Sequence, residues 1–175
     1  MHLYTIGHSN RSFEEFLAIL SDHNIKTVVD VRRFPSSRKF PHFNSDNLQK
    51  LLDTNFIHYR WFESLGGYRR TLVRANFQNA GLQSPGFRNY ADYMSTNQFK
   101  TAAGELLLLS KQATTVIMCA EKFFWKCHRM LLSDFLTAQG IEVIHILDRE
   151  KIQPHKLSAA AKITENKTVI YPSNQ

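Results

Sequence analysis

Residues 2–31, HLYTIGHSNRSFEEFLAILSDHNIKTVVDV, decide the fold of this chain. An apolar run over 2–6 predicts a first strand, and the Ser-x-x-Glu spacing at 12–15 is typical of the capping box that begins a helix. Apolar residues then recur at helical spacing until about residue 22. A nearly continuous apolar segment over 26–31 predicts a strand buried on both faces of a parallel sheet. Together these segments predict a βαβ unit.

The alternation of strands and helices continues to the end of the chain. We predict a helix after Asn44 or Ser45, a strand over 56–61, helical segments over 90–94 and 99–109, a strand over 114–118, a helix over 127–139, a strand over 141–147, and a tail from Asp148 with a short helix and an extended piece over 168–171. Such alternation implies parallel strands joined by right-handed crossovers. We therefore expect one α/β domain over residues 1–175, with a mostly parallel sheet of about five strands and helices on both faces.

Composition limits the class of protein and its partners. The chain has 175 residues, 43% hydrophobic and 21% charged, as in globular proteins, and its two cysteines are too few for a disulfide scaffold. No leader segment and no apolar stretch of about 18 residues is visible, so we expect a cytoplasmic protein with no membrane partner. The net charge of +7 favours polyanions, and we expect nucleic acid or a phosphorylated small molecule as partner. The oligomeric state does not follow from the sequence.

Polar residues follow four of the predicted strands. In parallel α/β sheets, ligands bind beyond the carboxyl ends of the strands. The residues at these ends are Gly7, His8 and Ser9 after the first strand, Asp30, Arg32 and Arg33 after the second, Glu63, Gly66 and Gly67 after the third, and Cys119 and Glu121 after the fourth. We therefore predict that these groups meet in one pocket.

Cys127 stands where a helix is predicted to begin, between a basic aromatic loop and His128 and Arg129. The positive end of a helix and neighbouring cations favour the thiolate form, so a reactive cysteine is one interpretation. The other is that Cys119 and Cys127 are buried thiols that pack as small hydrophobic groups. Both interpretations remain open at this point, and they are evenly balanced for Cys119.

The motifs in this chain resemble those of the DUF488 family. They are TIGHSNRS at 5–12, VDVRRFPSSR at 29–38, PHFN at 41–44, LGG at 65–67, GFRNYADYM at 86–94, MCAEK at 118–122, CHR at 127–129 and IEVIHIL at 141–147. The resemblance implies an α/β fold and a site built from these motifs, but it brings no settled reaction. The link KFFWK at 122–126 is more basic and aromatic than the family pattern leads us to expect.

An anion site is predicted at this edge of the sheet. The Gly7-His8-Ser9 turn leads into a capped helix, an arrangement that directs backbone N–H groups at an anion, and several arginines supply charge. The alternative is that these arginines pair with Asp30 and Glu63. The predicted binding residues are Gly7, His8, Ser9, Arg32, Arg33, Arg38, Gly66, Gly67, Tyr90, His128 and Arg129.

The predicted catalytic residues are Cys119, Glu121, Cys127 and Asp30. Asp30 has a structural alternative, an ion pair that orders the loop after its strand. No Cys-x₅-Arg phosphatase loop is present. Cys119, Cys127, His128 and His8 could in principle bind a metal, but the separation of the two cysteines is not a usual zinc spacing, so we predict no metal. We also predict no cofactor.

Aromatic and basic residues alternate in the predicted loops. They are Trp61, Tyr68, Phe77, Phe87, Phe123, Phe124 and Trp125, beside Arg69, Arg70, Arg74, Lys122 and Lys126. Aromatic faces for bases and cations for phosphates are typical of binders of single strands or extruded bases, although about half of these rings are expected in the core. The leading hypothesis is an enzyme, a hydrolase or transferase, that acts on a nucleotide-like or nucleic-acid substrate. The alternatives are a binding module without chemistry and a thiol redox sensor.

Overall fold

Six strands form the main sheet of the computed structural model, which describes residues 2–72 and 77–173. The strands are β1 (His2–Gly7), β2 (Thr27–Asp30), β3 (His58–Trp61), β4 (Thr115–Cys119), β5 (Glu142–Asp148) and β6 (Lys151–Pro154). Their spatial order is β3-β2-β4-β1-β5-β6, with every pair parallel except β5 and β6. The predicted α/β class and mostly parallel sheet are confirmed.

The sixth strand replaces the short helix predicted in the tail. All four residues of β6 are exposed, because the strand lies at the edge of the sheet. An exposed edge strand buries no face, so it leaves no apolar alternation in the sequence. The helix predicted beyond Asp148 is absent from the described residues 148–173, and that prediction is wrong.

Five helices cover the sheet: α1 (Phe13–Asp22), α2 (Ser45–Thr54), α3 (Pro85–Tyr93), α4 (Asn97–Gln112) and α5 (Arg129–Ala138). The predicted capping box is confirmed, since Ser12 and Glu15 bond reciprocally at the start of α1. Helix α5 begins at Arg129, two residues later than predicted, and ends at Ala138. Gly140, which follows the helix, has a backbone φ of 83°. None of the helices within residues 2–72 and 77–173 is long and apolar enough to cross a membrane.

Two apolar cores, one on each face, enclose the parallel strands. Residues of α1 and α2 pack with Val28, and residues of α3, α4 and α5 pack with its neighbour Val29. All four residues of β2 are buried, as are all five of β4. The prediction of helices on both faces is therefore confirmed. Burial on both faces explains the continuous apolar pattern of these strands.

A buried polar network attaches the C-terminal segment to the sheet. His145 on β5 contacts Thr5 through Nδ1 at 2.6 Å and His155 through Nε2 at 2.8 Å. The Nε2 atom of His155 lies 2.9 Å from a carboxylate oxygen of Asp134 on α5. The Tyr171 hydroxyl donates a hydrogen bond to the same carboxylate at 2.9 Å. Tyr171 follows a two-residue strand, β8 (Val169–Ile170), that pairs with β7 (Lys162–Ile163). The network ties the tail to both α5 and β1.

The neutral state of His145 makes folding sensitive to acid. Burial, followed by the charges of His155 and Arg129, lowers the pKa of His145 to about 2. The ordinary histidine pKa is about 6.5, so below that pH the unfolded chain takes up a proton that folded His145 does not. Stability should therefore fall as the pH falls from about 6.5 toward 2.

We expect His145→Gln to flatten this acid dependence. Urea unfolding should show the variant losing about 2 kcal/mol less stability than the native protein between pH 6.5 and 4.5. The matched control is His58→Gln, because His58 is exposed on β3. An equal slope in the native protein and the His145 variant would contradict a neutral buried His145.

Candidate active site at the carboxyl edge of the sheet

A cavity of about 910 Å³, here called the edge cavity, lies beyond the carboxyl ends of the parallel strands. Its walls come from the segments that follow β1, β2, β3 and β4, from the start of α3 and from the residues before α5. Ten predicted site residues line it: His8, Ser9, Arg32, Arg33, Gly67, Tyr90, Cys119, Glu121, Cys127 and His128. Gly7, Asp30, Arg38, Gly66 and Arg129 are not among the residues that line it. The segments predicted to converge do form one pocket.

Arg32 is held rigidly at the wall of the edge cavity. It is 5% exposed, and it donates Nε to both carboxylate oxygens of Asp30 and Nη2 to one of them at 2.5 Å. Its Nη1 faces His8 Nε2 at 3.2 Å. These contacts use three of the five guanidinium N–H groups. The Tyr59 hydroxyl also interacts with Arg32, so at least one N–H of the terminal nitrogens has no protein partner in the described part of the chain.

Asp30 acts on the cavity through Arg32. Its side chain is fully buried, and besides Arg32 it accepts a hydrogen bond from the Tyr59 hydroxyl at 2.7 Å. The structural alternative considered for Asp30, an ion pair with Arg32, is present. Tyr59, which the sequence did not single out, completes the support of the guanidinium.

His8 supports the same arginine as a neutral ring. Burial, followed by the charge of Arg32, lowers the pKa of His8 to about 3. Its Nδ1 lies 2.9 Å from the Ser9 carbonyl, which can only accept, so Nδ1 carries the proton and Nε2 accepts from Arg32. The ring also stacks on Phe43 at 4.1 Å. Because its Nε2 already accepts from Arg32, His8 positions that side chain.

The other predicted arginines have different surroundings. Arg33 lines the edge cavity but pairs with Glu63, as the alternative interpretation had it. Arg38 is exposed and outside the cavity. Arg129 is 1% exposed and donates to the Glu121 and Lys122 carbonyls. The predicted cluster of four cavity arginines therefore reduces to Arg32 and Arg33.

The turn after β1 does not present its first backbone donors to a ligand. The His8 N–H donates to the Cys119 carbonyl at 2.8 Å, and the Ser9 N–H donates to the Ala120 carbonyl at 2.9 Å. A Cβ on Gly7 would collide with the Glu121 carbonyl, so Gly7 permits this close approach. The prediction that these N–H groups face an anion is wrong, and the turn contributes the side chains of His8 and Ser9 to the cavity.

Cys119, Cys127 and His128 form a compact cluster on the cavity wall. Cys119 ends β4, and the segment that leads to α5 returns the chain to it. One sulfur from each cysteine and one ring nitrogen of His128 all lie within 4.8 Å of one another. The Cys127 sulfur lies 3.6 Å from His128 Nδ1. These are the described residues that could hold a metal ion.

Both cysteines are free and buried, at 9% and 5% exposure for Cys119 and Cys127. A hydrogen bond from Cys119 lowers the pKa of the Cys127 thiol well below its ordinary value, with further lowering by His128 and Arg129. The same bond, followed by burial, raises the pKa of Cys119. Both cysteines are thus buried, and their thiol pKa values are shifted in opposite directions. The two interpretations from the sequence, a reactive cysteine and buried thiols, are therefore not exclusive.

Two predicted residues fix the ring of His128. A Cβ on Gly67 would lie 2.9 Å from His128 Nδ1, so only glycine admits the ring there. The Tyr90 ring lies 5.0 Å from the ring of His128, and its hydroxyl donates to the Leu65 carbonyl at 2.7 Å. Gly66 has a different role, because its missing Cβ admits the backbone of Arg33. His128 Nε2 is buried and has no partner in the described part of the chain.

Glu121 is an exposed acid at the cavity wall. One of its carboxylate oxygens accepts the backbone N–H of Phe123 at 3.1 Å, which orients the side chain. Among the acids of the described residues, Glu121 is the one that lines the cavity. It is therefore the carboxylate that a ligand bound in the edge cavity could contact.

Several cavity residues were missed or only partly foreseen. Lys39 and Phe40 line the cavity from the loop after β2, and their proximity to Arg32 and Arg33 in the sequence was the available signal. Tyr68 is 89% exposed and lines it from the segment after β3.

The predicted aromatic residues divide between the surface and the core. Phe124 is buried and stacks on His145 at 3.5 Å, whereas Trp61 and Trp125 are 47% and 44% exposed. Arg74 and the side chain of Phe77 lie outside the described residues.

Comparison with known proteins gives a family and no activity. No curated protein and no solved structure matches the chain. A family model described as "Domain of unknown function DUF488" matches residues 12–136. This range includes Arg32 and the Cys119, Cys127 and His128 cluster, whereas His8 and the network residues His145, His155 and Tyr171 lie outside it. Because the match covers most of the chain, the protein belongs to the DUF488 family.

Proposed function

We propose that this protein is an enzyme that acts on a nucleotide-like or nucleic-acid substrate in the edge cavity. The observation that carries the proposal is the fixed guanidinium of Arg32, which lines the cavity and keeps part of its N–H donors free of protein partners among the described residues. A preoriented arginine suits phosphate because its planar fork can bind two oxygens at once. The phosphate of the substrate would therefore bind at Arg32.

Exposed aromatic rings support a substrate that carries a base. Tyr68 and Phe34 are 89% and 69% exposed, although large aromatic side chains are normally buried, and both line the cavity. Lys39 and Lys126 add positive charge to the same walls. Rings for stacking beside cations for phosphates are the combination that nucleotide and single-strand binders use.

Groups capable of chemistry face the same space. Cys119, Cys127 and His128 line one part of the cavity, and Glu121 supplies a carboxylate that a ligand can reach. In this proposal they surround the reacting centre, and Asp30 serves as a positioning residue through Arg32. The free thiols suit a reducing compartment, so we place the activity in the cytoplasm.

The variant Arg32→Lys tests the proposal without changing the net charge. Arg32→Ala would leave Asp30 buried without its partner, at a cost of about 3–5 kcal/mol, whereas lysine keeps a positive charge and removes the fork. We expect Arg32→Lys to weaken the binding of labelled single-stranded DNA or RNA by about 10- to 100-fold, because charged hydrogen bonds are lost. Fluorescence anisotropy across a salt series measures this.

The control is the same exchange at Arg60, an exposed arginine of β3 outside the cavity. Equal affinities for Arg32→Lys and Arg60→Lys would contradict the proposed phosphate site.

Product formation is followed by mass spectrometry with the same oligonucleotides and a panel of nucleotides. Binding without any product across the panel would favour a binding module over an enzyme.

The variant Tyr68→Ala tests whether a base stacks at the cavity. We expect the affinity for single-stranded oligonucleotides to fall at least about fivefold, because stacking on an aromatic ring contributes about 1–3 kcal/mol per base. Phe56→Ala is the matched control, because Phe56 is 90% exposed and lies outside the cavity. Its backbone φ of 57° is also close to the 56° of Tyr68, so the two substitutions affect the backbone alike. A similar loss in both variants would count against stacking at Tyr68.

A thiol redox sensor is the second candidate, favoured by the two free thiols of Cys119 and Cys127, whose sulfurs lie within 4.8 Å of each other. One peroxide molecule would join the two thiols as a disulfide and form two molecules of water. Intact mass would then fall by two hydrogen atoms after mild peroxide treatment, and the loss would reverse with dithiothreitol. An unchanged mass, or addition of oxygen alone, would eliminate this candidate.

A further inference from the structure

Three ligand atoms of the kind that zinc prefers meet at the edge cavity. They are the sulfurs of Cys119 and Cys127 and a ring nitrogen of His128, all within 4.8 Å of one another. Thiolate and imidazole ligands select soft and borderline cations, whereas magnesium and calcium prefer oxygen. The chemistry of this donor set therefore points to a thiophilic cation.

The spacing of these atoms suits a tetrahedral ion. Zinc binds sulfur at about 2.3 Å and nitrogen at about 2.0–2.1 Å, which places a sulfur and a nitrogen of one tetrahedron about 3.6 Å apart. The Cys127 sulfur already lies 3.6 Å from His128 Nδ1. The remaining separations, at most 4.8 Å, need shifts of about 1 Å toward a shared ion.

The ligands are held before any ion binds. Cys119 ends the central strand β4, and His128 is the residue that precedes α5, so both belong to the rigid frame of the sheet and helix. The ring of His128 is confined by Gly67, which has no side chain, and by Tyr90 at 5.0 Å. Its Nε2 atom is buried and has no partner among the described residues, so the ring is not committed to a protein acceptor on that side.

The fourth side of the cluster is open to the edge cavity. All three ligand residues line that cavity, and no further histidine, cysteine or carboxylate of the described residues joins the cluster. Zinc sites with three protein ligands and one open position are typical of catalytic centres, whereas structural sites have four protein ligands.

We propose that Cys119, Cys127 and His128 form a binding site for one zinc ion, with the fourth coordination position facing the edge cavity. The site extends the proposed function but does not depend on it, because the three ligands are separate from Arg32. It also revises the expectation of no metal, which was based on the separation of the two cysteines in the sequence.

Cobalt titration of the reduced full-length protein, freed of metal with a chelator, tests the site. We expect one equivalent of Co²⁺ to produce thiolate-to-cobalt absorption in the near ultraviolet and tetrahedral bands in the visible, and Zn²⁺ to displace it. Cys119→Ser, Cys127→Ser and His128→Gln should each weaken binding by more than about 100-fold. His58→Gln, at an exposed histidine of β3, should leave it unchanged. Absence of a thiolate band in the native protein would overturn the proposal, whether or not the variants fold.

Thiol protection gives an independent measurement. The chain contains two cysteines, so modification by a thiol reagent reports on this site alone. We expect Zn²⁺ to slow modification of both thiols in the native protein and much less in His128→Gln, and equal rates with and without Zn²⁺ would contradict the site. If oligonucleotides still bind after the metal is removed, the Arg32 site and the zinc site are independent. Either proposal can then be contradicted without the other.

Discussion

The parallel pairing of β4 with both β1 and β2 determines where His8, Arg32 and Cys119 of the edge cavity lie. Gly7 is opposite Cys119 in one pair, and Asp30 is opposite Met118 in the other, so three strands end at the same level. The chain must leave the sheet there through adjacent turns. Gly7 allows the turns after β1 and β4 to touch, which brings His8 beside the cysteine cluster. A slip of one residue in either pair would turn the strand's side chains to the opposite face.

Buried polar groups make this edge rigid. The carboxylate of Asp30 is fully buried and accepts hydrogen bonds from Arg32 and Tyr59, while the neutral ring of His8 accepts from Arg32. Unpaired, such a carboxylate would be strongly destabilising, so the surrounding donors are required by the fold as well as useful to a ligand. The result is a guanidinium whose direction is fixed before a substrate arrives, which reduces the ordering that binding requires. Stability and recognition therefore depend on the same contacts.

Local patterns were sufficient to predict the fold class and the convergence of several strand ends on one cavity. The capping box at Ser12 and the apolar runs of β2 and β4 are short-range signals that the folded chain preserves. The parallel direction of the strands then follows from general rules, and with it the convergence at one edge, whereas the strand order β3-β2-β4-β1-β5-β6 could not be predicted. Strand β6 left no signal because none of its residues is buried.

The direction of side chains and the long-range partners of backbone groups could not be predicted. The sequence does not reveal that the N–H groups of His8 and Ser9 donate to the carbonyls of Cys119 and Ala120, or that Arg129 does not line the cavity. The spacing of Cys119 and Cys127 suggested no metal site, yet the turn between β4 and α5 brings the two sulfurs together. Spacing rules apply to ligands on one local element, whereas these ligands meet through tertiary structure.

The central claim is that the edge cavity binds the phosphate of a nucleotide at Arg32. A crystal structure of the protein with a nucleoside monophosphate tests it most directly. We expect a phosphate within hydrogen-bond distance of the Arg32 guanidinium, with the base beside Tyr68 or Phe34. A nucleotide bound elsewhere on the protein, or an edge cavity that stays empty at saturating nucleotide, would contradict it.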